Sequence, residues 1–267
     1  MTFIVKLFIL IPLVGFILSL AIPAKKERTL SWVAYTTAGL HHAMFLLFAI
    51  FWILQGGSSL NFKEVIFRAN DYEFFIDFYF DKITAVYLAV GSFLTFLVAI
   101  YSRTYLHREK GYKRFFNTIL FFYLGYNIVI LSGNLETLFM GWEILGISSF
   151  LLIAYYRNRY LPVKNAVRVF SIYRIGDVGI ILAIWMSHHL WHENITFYKL
   201  GNYAVANSQL QNDTIIGIFI SLMILMSAIA KSAQFPFSFW LPRAMEGPTP
   251  SSAIFYGALS VHMGIFI

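Results

Sequence analysis

LETLFMGWEILGISSFLLIAY, Leu135–Tyr155, is a run of about twenty residues, the length that a bilayer's hydrocarbon core asks of one helix. Within it sit two carboxylates, Glu136 and Glu143, seven residues and so two turns apart on one face. A charge near the bilayer centre costs at least ~2.5–3.5 kcal/mol even on the gentler insertion scales, so one that is kept there has a partner or a pathway. Working outward, the same composition recurs at roughly Phe3–Ile22, Leu30–Leu54, Ile83–Ser102, Phe115–Leu131, Val169–Leu190, Thr214–Ala230 and Ser252–Ile267. The expected fold is an all-α polytopic membrane protein of about eight transmembrane helices.

The whole chain agrees with its parts. Of 267 residues, 59% are hydrophobic and only 12% charged, with mean hydropathy +0.69, too little charge to cover a soluble domain. The net charge of +7 sits in short loops between apolar runs, which is a topological pattern and not a stripe for nucleic acid. Lys25, Lys26 and Arg28 follow the first run, which marks a retained helix and not a cleaved signal peptide. Arg103, Arg108, Lys110, Lys113 and Arg114 follow the third run, and Arg157, Arg159, Lys164 and Arg168 the fifth. The intervening loops are acidic or neutral: Glu64, Asp71, Glu73, Asp77 and Asp81 fill the stretch from Gln55 to Lys82. The positive-inside bias then puts the N-terminus outside. In that acidic stretch Phe74, Ile76, Phe78 and Phe80 are offset against Glu73, Asp77 and Asp81, which fits a short exterior hairpin or an interfacial layer. With no cysteine, thiolate-held iron–sulfur clusters and Cys-based zinc sites are excluded, and no dinucleotide or P-loop glycine pattern is present. No cofactor is expected.

Five ionisable residues fall inside the runs: Glu136, Glu143, Arg174, Asp177 and Lys231. Glu143 is deep in its helix, whereas Glu136 either shares its face or snorkels to the interface. Lys231 ends the seventh run in AIAKSAQFP, with Pro236 and Pro242 close behind, so the helix should break there. Desolvation disfavours an ammonium, so a buried lysine can give up its proton near neutral pH. The alternative is a lysine that snorkels to the cytoplasmic face. Arg174 and Asp177, three apart, suit an intrahelical pair, with Asp177 alternatively facing Lys231 or a water channel. His188 and His192 have zinc-chelating spacing, but only Glu193 offers a further ligand, so a solvated interfacial cluster is the simpler reading. His41 and His42 suit polar contacts between helices, and His262 in the last run is a candidate relay.

Four segments carry a family resemblance: YSRTYLHREKGYKRFF (Tyr101–Phe116), NLETLFMGWEILGISSFLLIA (Asn134–Ala154), YRIGDVG (Tyr173–Gly179) and KSAQFPFSFWLPRAMEGPTP (Lys231–Pro250). Through them the chain resembles the antiporter-like L-type subunits of respiratory NADH:quinone oxidoreductase, complex I. That superfamily also includes Mrp-type cation/proton antiporter subunits and membrane partners of inorganic-carbon accumulation complexes. The resemblance implies proton translocation by a coupled glutamate–lysine pair at Glu143 and Lys231, with Asp177 as the family's aspartate. It also implies a fold of two inverted five-helix repeats, each with a broken helix. Here the break is expected near Lys231–Pro242. Glu136, His262 and Tyr256 are candidate relays, Tyr256 because the family's relay histidine aligns with it. Arg243 stands where an aspartate is usual, so the proton path beyond Lys231 departs from the family's.

Residues 1–110 are expected to form N-terminal helices and an exterior segment, and residues 111–267 the first, truncated repeat of a single transmembrane domain. The chain stops inside an apolar run, which reads as a fragment. The partners implied are other membrane subunits of a complex I-like, Mrp-like or carbon-uptake assembly, the lipid bilayer, and protons or also Na+, with the bacterial inner membrane as the site. Any oxidoreductase activity would belong to the assembly, because the chain shows no NADH or quinone site. A scaffold whose buried charges merely pair is the competing, non-transport reading.

Overall fold

A computed structural model describes residues 2–69, 72–191, 194–200 and 214–267. Asp71, His192 and Glu193 lie outside the described residues, as does the side chain of Tyr256. The helices are α1 (Thr2–Ala21), α2 (Glu27–Leu54), α3 (Lys82–Tyr105), α4 (Tyr112–Leu131), α5 (Leu135–Ile153) and α6 (Tyr160–Met186), the last continued by a π-helical turn, Ser187–Trp191. Then come α7 (Phe197–Leu200), α8 (Thr214–Lys231), α9 (Trp240–Ala244), a π-helical segment (Ser251–Ser260) and α10 (Val261–Phe266). Among the described residues six helices, α1 to α6, are long and apolar enough to cross a membrane. Among the described residues the seventh and eighth apolar runs form shorter apolar helices, Ile215–Lys231 and Gly257–Phe266.

The fold is mostly helical and not purely so. β1 (Leu60–Ala69) and β2 (Tyr72–Phe80) pair as an antiparallel hairpin, with a bulge between Val65 and Phe67. Its alternation is shifted from the expected one, since Phe75, Asp77 and Phe80 are the buried residues of β2. The reason is docking: the α4–α5 turn covers β2 and satisfies its backbone. Gly133 N donates to Asp77 O (2.7 Å), Asn134 Nδ2 to Phe75 O (3.2 Å), and Asp77 N to Thr137 Oγ1 (3.1 Å). Asn134 also caps α5 by accepting from Thr137 N (2.9 Å), and Asp81 caps α3 from Thr84 N (2.8 Å). Burial pushes the Asp77 carboxyl up to about 6, against the opposing pull of Lys63.

Polar contacts tie the bundle together at both ends. At the hairpin end, Lys6 pairs with Glu64, and Asn194 Nδ2 donates to Glu73 O (3.3 Å). At the basic end, Lys113 Nζ donates to Leu20 O (2.9 Å) and Asn165 Nδ2 to Glu246 Oε1 (3.1 Å).

In the N-terminal half a proline explains a buried histidine. Pro12 lies inside α1 and has no N–H, so the carbonyl of Phe8, one turn earlier, loses its helical donor. The His41 Nε2 of α2 is 3.1 Å from that carbonyl, which can only accept, so Nε2 carries the hydrogen. Nδ1 then accepts from the Tyr123 hydroxyl of α4 at 2.6 Å. His42 faces elsewhere, with Nδ1 2.8 Å from Ser92 Oγ of α3. The expected polar contacts between helices are present, and each has a definite partner.

Candidate functional site

Three helices bring the charges together, and glycines set their spacing. A Cβ on Gly141 of α5 would lie 2.8 Å from the Gly125 carbonyl of α4, and one on Gly179 of α6 would lie 2.4 Å from the Met223 carbonyl of α8. Such close backbones need residues without side chains. Ser227 Oγ of α8 further donates to Gly176 O of α6 (2.5 Å). The α6–α8 contact delivers Lys231, the last residue of α8, beside Tyr173 and Asp177 of α6 and Trp142 of α5.

Lys231 is 1% exposed. Its Nζ donates to the Trp142 carbonyl (3.3 Å) and lies 4.6 Å from the Trp142 ring centroid and 4.5 Å from that of Tyr173. Trp142 Nε1 donates to Asp177 Oδ1 (2.7 Å), and Asp177 is 3% exposed. Arg174 Nη2 stands 2.9 Å from Asp177 Oδ2 and 2.6 Å from Glu143 Oε2, bridging the two carboxylates. The intrahelical Arg174–Asp177 pair is therefore present, and Arg174 takes Glu143 as well. Among the described residues no ion pair joins Lys231 directly to Glu143. A Cβ on Gly146 would lie 3.4 Å from Arg174 Nη2 and 3.9 Å from Lys231 Nζ, so both cations flank one space that a side chain would fill.

The depth of this cluster follows from helix geometry. Trp142 is about 10 Å of rise from the Leu135 end of α5 and about 16 Å from its Ile153 end. Tyr173 is about 20 Å from the start of α6 at Tyr160. Lys231 therefore ends its helix inside the bundle and does not snorkel to an interface. The break comes at once: Ala233 adopts a left-handed φ of 54°, three residues before Pro236, while Pro242 lies within the short α9. The carbonyls left by the break are covered. Ser232 N donates to Ala228 O (2.9 Å), Gln234 N to Ile229 O (3.1 Å) and Trp240 Nε1 to Ala230 O (2.9 Å).

The other sequence candidates lie apart. Glu136 is buried at the hairpin end, where His188 Nε2 is 2.6 Å from its Oε1, so the shared face with Glu143 does not make a shared cluster. His262 is exposed on α10, and Arg243 is exposed 5.9 Å from the Phe239 ring. His188 is engaged by Glu136 and His192 is not described, so the zinc spacing gains no support. Trp142 and Tyr173 are the residues that sequence reasoning missed. Tyr173 stands four before Asp177, on the same helical face, which is a usable signal; nothing in the sequence points the Trp142 ring at Asp177.

Comparison with known proteins adds the following. Residues 132–267 match the family described as NADH:quinone oxidoreductase/Mrp antiporter, TM. Residues 67–116 match the one described as NADH-Ubiquinone oxidoreductase (complex I), chain 5 N-terminus. The chloroplastic NAD(P)H-quinone oxidoreductase subunit 5 of Oryza sativa is 34% identical over 202 residues, 74% of this chain and 27% of the relative. The same-named protein of Physcomitrium patens is 32% identical over 286 residues, 100% of this chain and 38% of its own. The NADH-quinone oxidoreductase subunit L of Neisseria meningitidis is 33% identical over 231 residues, 82% and 34% respectively. The chain thus spans roughly a third of the length of these relatives. Among solved structures, the Mrp complex from Dietzia sp. DQ12-45-1b superposes with a TM-score of 0.76 at 23% identity, covering 97% of this chain and 27% of that one. The archaeal membrane-bound sulfane sulfur reductase superposes with a TM-score of 0.77 at 18% identity, covering 98% and 51%.

Proposed function

The chain belongs to the NADH:quinone oxidoreductase/Mrp antiporter transmembrane family, and on that premise we propose that it translocates protons, with Lys231 as the group that takes up and releases the proton. The observation that carries this reading is the position of Lys231. An ammonium enclosed at half-depth, held by one carbonyl and two aromatic faces, lies at the end of a helix that breaks beside it. Burial makes its charge costly, so its protonation depends on the nearby carboxylates. Asp177 is one indole removed, through Trp142 Nε1, and Glu143 is held off by Arg174. When Arg174 turns toward Glu143, Asp177 is left to favour the charged lysine. When Arg174 turns toward Asp177, that support weakens and the proton leaves. A shift of a few ångströms changes such an interaction by about 2 kcal/mol at the effective dielectric of a protein site. Glu143 thus acts on Lys231 through Arg174, which refines the directly coupled pair expected from the resemblance.

A cation other than a proton is the less suitable cargo, since the lysine would repel it. In this reading residues 111–267 form the conducting part and residues 1–110 its flank, with the basic end of the bundle on the cytoplasmic side and the N-terminus opposite. The relatives are by name parts of larger membrane complexes, so the partners proposed are other membrane subunits, which supply the driving energy. The relatives occur in chloroplasts as well as in bacteria, and the bacterial plasma membrane is the location proposed here.

The test is proton flux in proteoliposomes containing the assembly with this chain. Lys231→Ala should reduce driven flux by more than about tenfold, because the carrier itself is gone. Flux at wild-type level in a correctly assembled Lys231→Ala variant would sink the reading.

A further inference from the structure

At the basic end of the bundle the α3–α4 and α5–α6 loops enclose a cavity of about 690 Å³ that plays no part in the proposed proton path. Its lining holds Arg108, Lys110, Arg114, Arg157 and Arg159 against a single acid, Glu109. Among the described residues none of these five cations makes an ion pair. Arg114 Nη2 donates to the Tyr155 carbonyl (2.6 Å), while its buried Nε has no partner. The Tyr155 hydroxyl is likewise buried without a partner, in a residue only 3% exposed. Burial pushes that phenol up to about 12, so it stays a neutral donor. The first turn of α4 opens on the same space with no side-chain cap, adding the positive end of a long helix.

Loop basicity alone sets topology and requires no cavity. Here the cations curl around a pocket, and two buried donors inside it go unused. Unpaired buried donors cost free energy, so an acceptor group is missing. The cavity's level identifies the acceptor. α3 ends at Tyr105, α4 begins at Tyr112, α5 ends at Ile153 and α6 begins at Tyr160, so four spans terminate around it. The exposed rings of Tyr101, Tyr105 and Tyr160 mark the interfacial belt at that level. Headgroups occupy that layer, and a phosphodiester offers the acceptor oxygens that guanidinium groups match.

We propose that this cavity binds the phosphate headgroup of an anionic membrane phospholipid, with Arg114, Arg157 and Arg159 as its principal contacts. The lipid would tie the two cytoplasmic loops together from below the proton site.

The purified chain is incubated in detergent with phosphatidylglycerol or phosphatidylcholine, and retained lipid is counted by phosphorus NMR after washing. Wild type should retain phosphatidylglycerol about tenfold better than phosphatidylcholine, and the Arg157→Gln/Arg159→Gln variant should lose that preference. Both residues are exposed, so the variant should keep its circular dichroism spectrum. Lys25→Gln/Lys26→Gln removes the same charge from another basic loop and should leave the preference intact. Equal retention of the two lipids, or an unchanged preference in Arg157→Gln/Arg159→Gln, would overturn the proposal. Equal losses in both double variants would replace the site by diffuse surface charge. Displacement of the lipid by glycerol phosphate at matching concentration would assign the cavity to a soluble phosphate. Displacement by polyglutamate would assign it to an acidic protein segment.

Discussion

His41 and Lys231 are both buried titratable groups on apolar helices, yet their surroundings treat them oppositely. His41 is 0% exposed, and each ring nitrogen has one fixed partner, the Phe8 carbonyl and the Tyr123 hydroxyl. The first partner exists because Pro12 took away the carbonyl's own donor. That network is closed and neutral, and it repairs a helix. Around Lys231 nothing is closed: Arg174 divides itself between Glu143 and Asp177, and Glu143 Oε1 and Arg174 Nε are buried without partners. A fully satisfied buried network rigidifies, whereas a shared cation with two acceptors has more than one arrangement of similar energy. One cluster holds shape, and the other is where the proposed function places a change of charge.

The largest expected effect separates the two clusters directly. Lys231→Leu should abolish driven proton flux, while His41→Leu in folded protein should keep it within about twofold, since no charge is moved. Loss of flux in a correctly folded His41→Leu variant would break the distinction. Next in size, Asp177→Asn should cut flux by about tenfold, the effect of roughly one unit in a coupled protonation. Glu143→Gln should act in the same direction and be non-additive with Arg174→Gln, because Glu143 acts through Arg174. Additive losses in the flux cycle would remove Arg174 from the coupling.

A smaller, purely structural effect sharpens the other side. His41→Phe should destabilise by about 1–3 kcal/mol through the orphaned Phe8 carbonyl and Tyr123 hydroxyl. In a Pro12→Ala background the restored N–H at position 12 should reduce that loss by about 1 kcal/mol, read as a double-mutant cycle in mixed-micelle unfolding. Smallest is a pH effect at the hairpin. Asp77 is raised to about 6, so its contribution to docking is full below its ordinary value near 3.8 and fades as pH rises through about 6. Amide protection of the β2 strand, corrected for the intrinsic exchange rate, should fall between about pH 4 and 6, and Asp77→Asn should flatten that profile.

Much of this was legible in the sequence for a single reason. In lipid the backbone must satisfy itself, so span length and composition announce the helices. The cost of buried charge makes Glu143, Arg174, Asp177 and Lys231 conspicuous. The docked hairpin was only half legible, because its register depends on the α4–α5 turn that covers it and turns Asp77 inward. The depth of Lys231 was legible only as one of two readings, because the end of a helix in sequence need not be an end of the bundle.

The sequence by itself determined the membrane-spanning character, the gathering of basic residues into a few short loops and the short set of ionisable residues inside apolar runs. Helical periodicity says which residues share a face, but not which neighbouring face they meet. Tertiary structure alone decided the pairings. The close approaches at Gly141 and Gly179 fix how α4, α5, α6 and α8 cross, and those crossings give Glu143 to Arg174, Asp177 to Trp142, and Lys231 to a carbonyl between two rings. Electrostatic interaction depends steeply on distance in a low-dielectric interior, so ångström-scale helix placement selects partners that no spacing along the chain can specify.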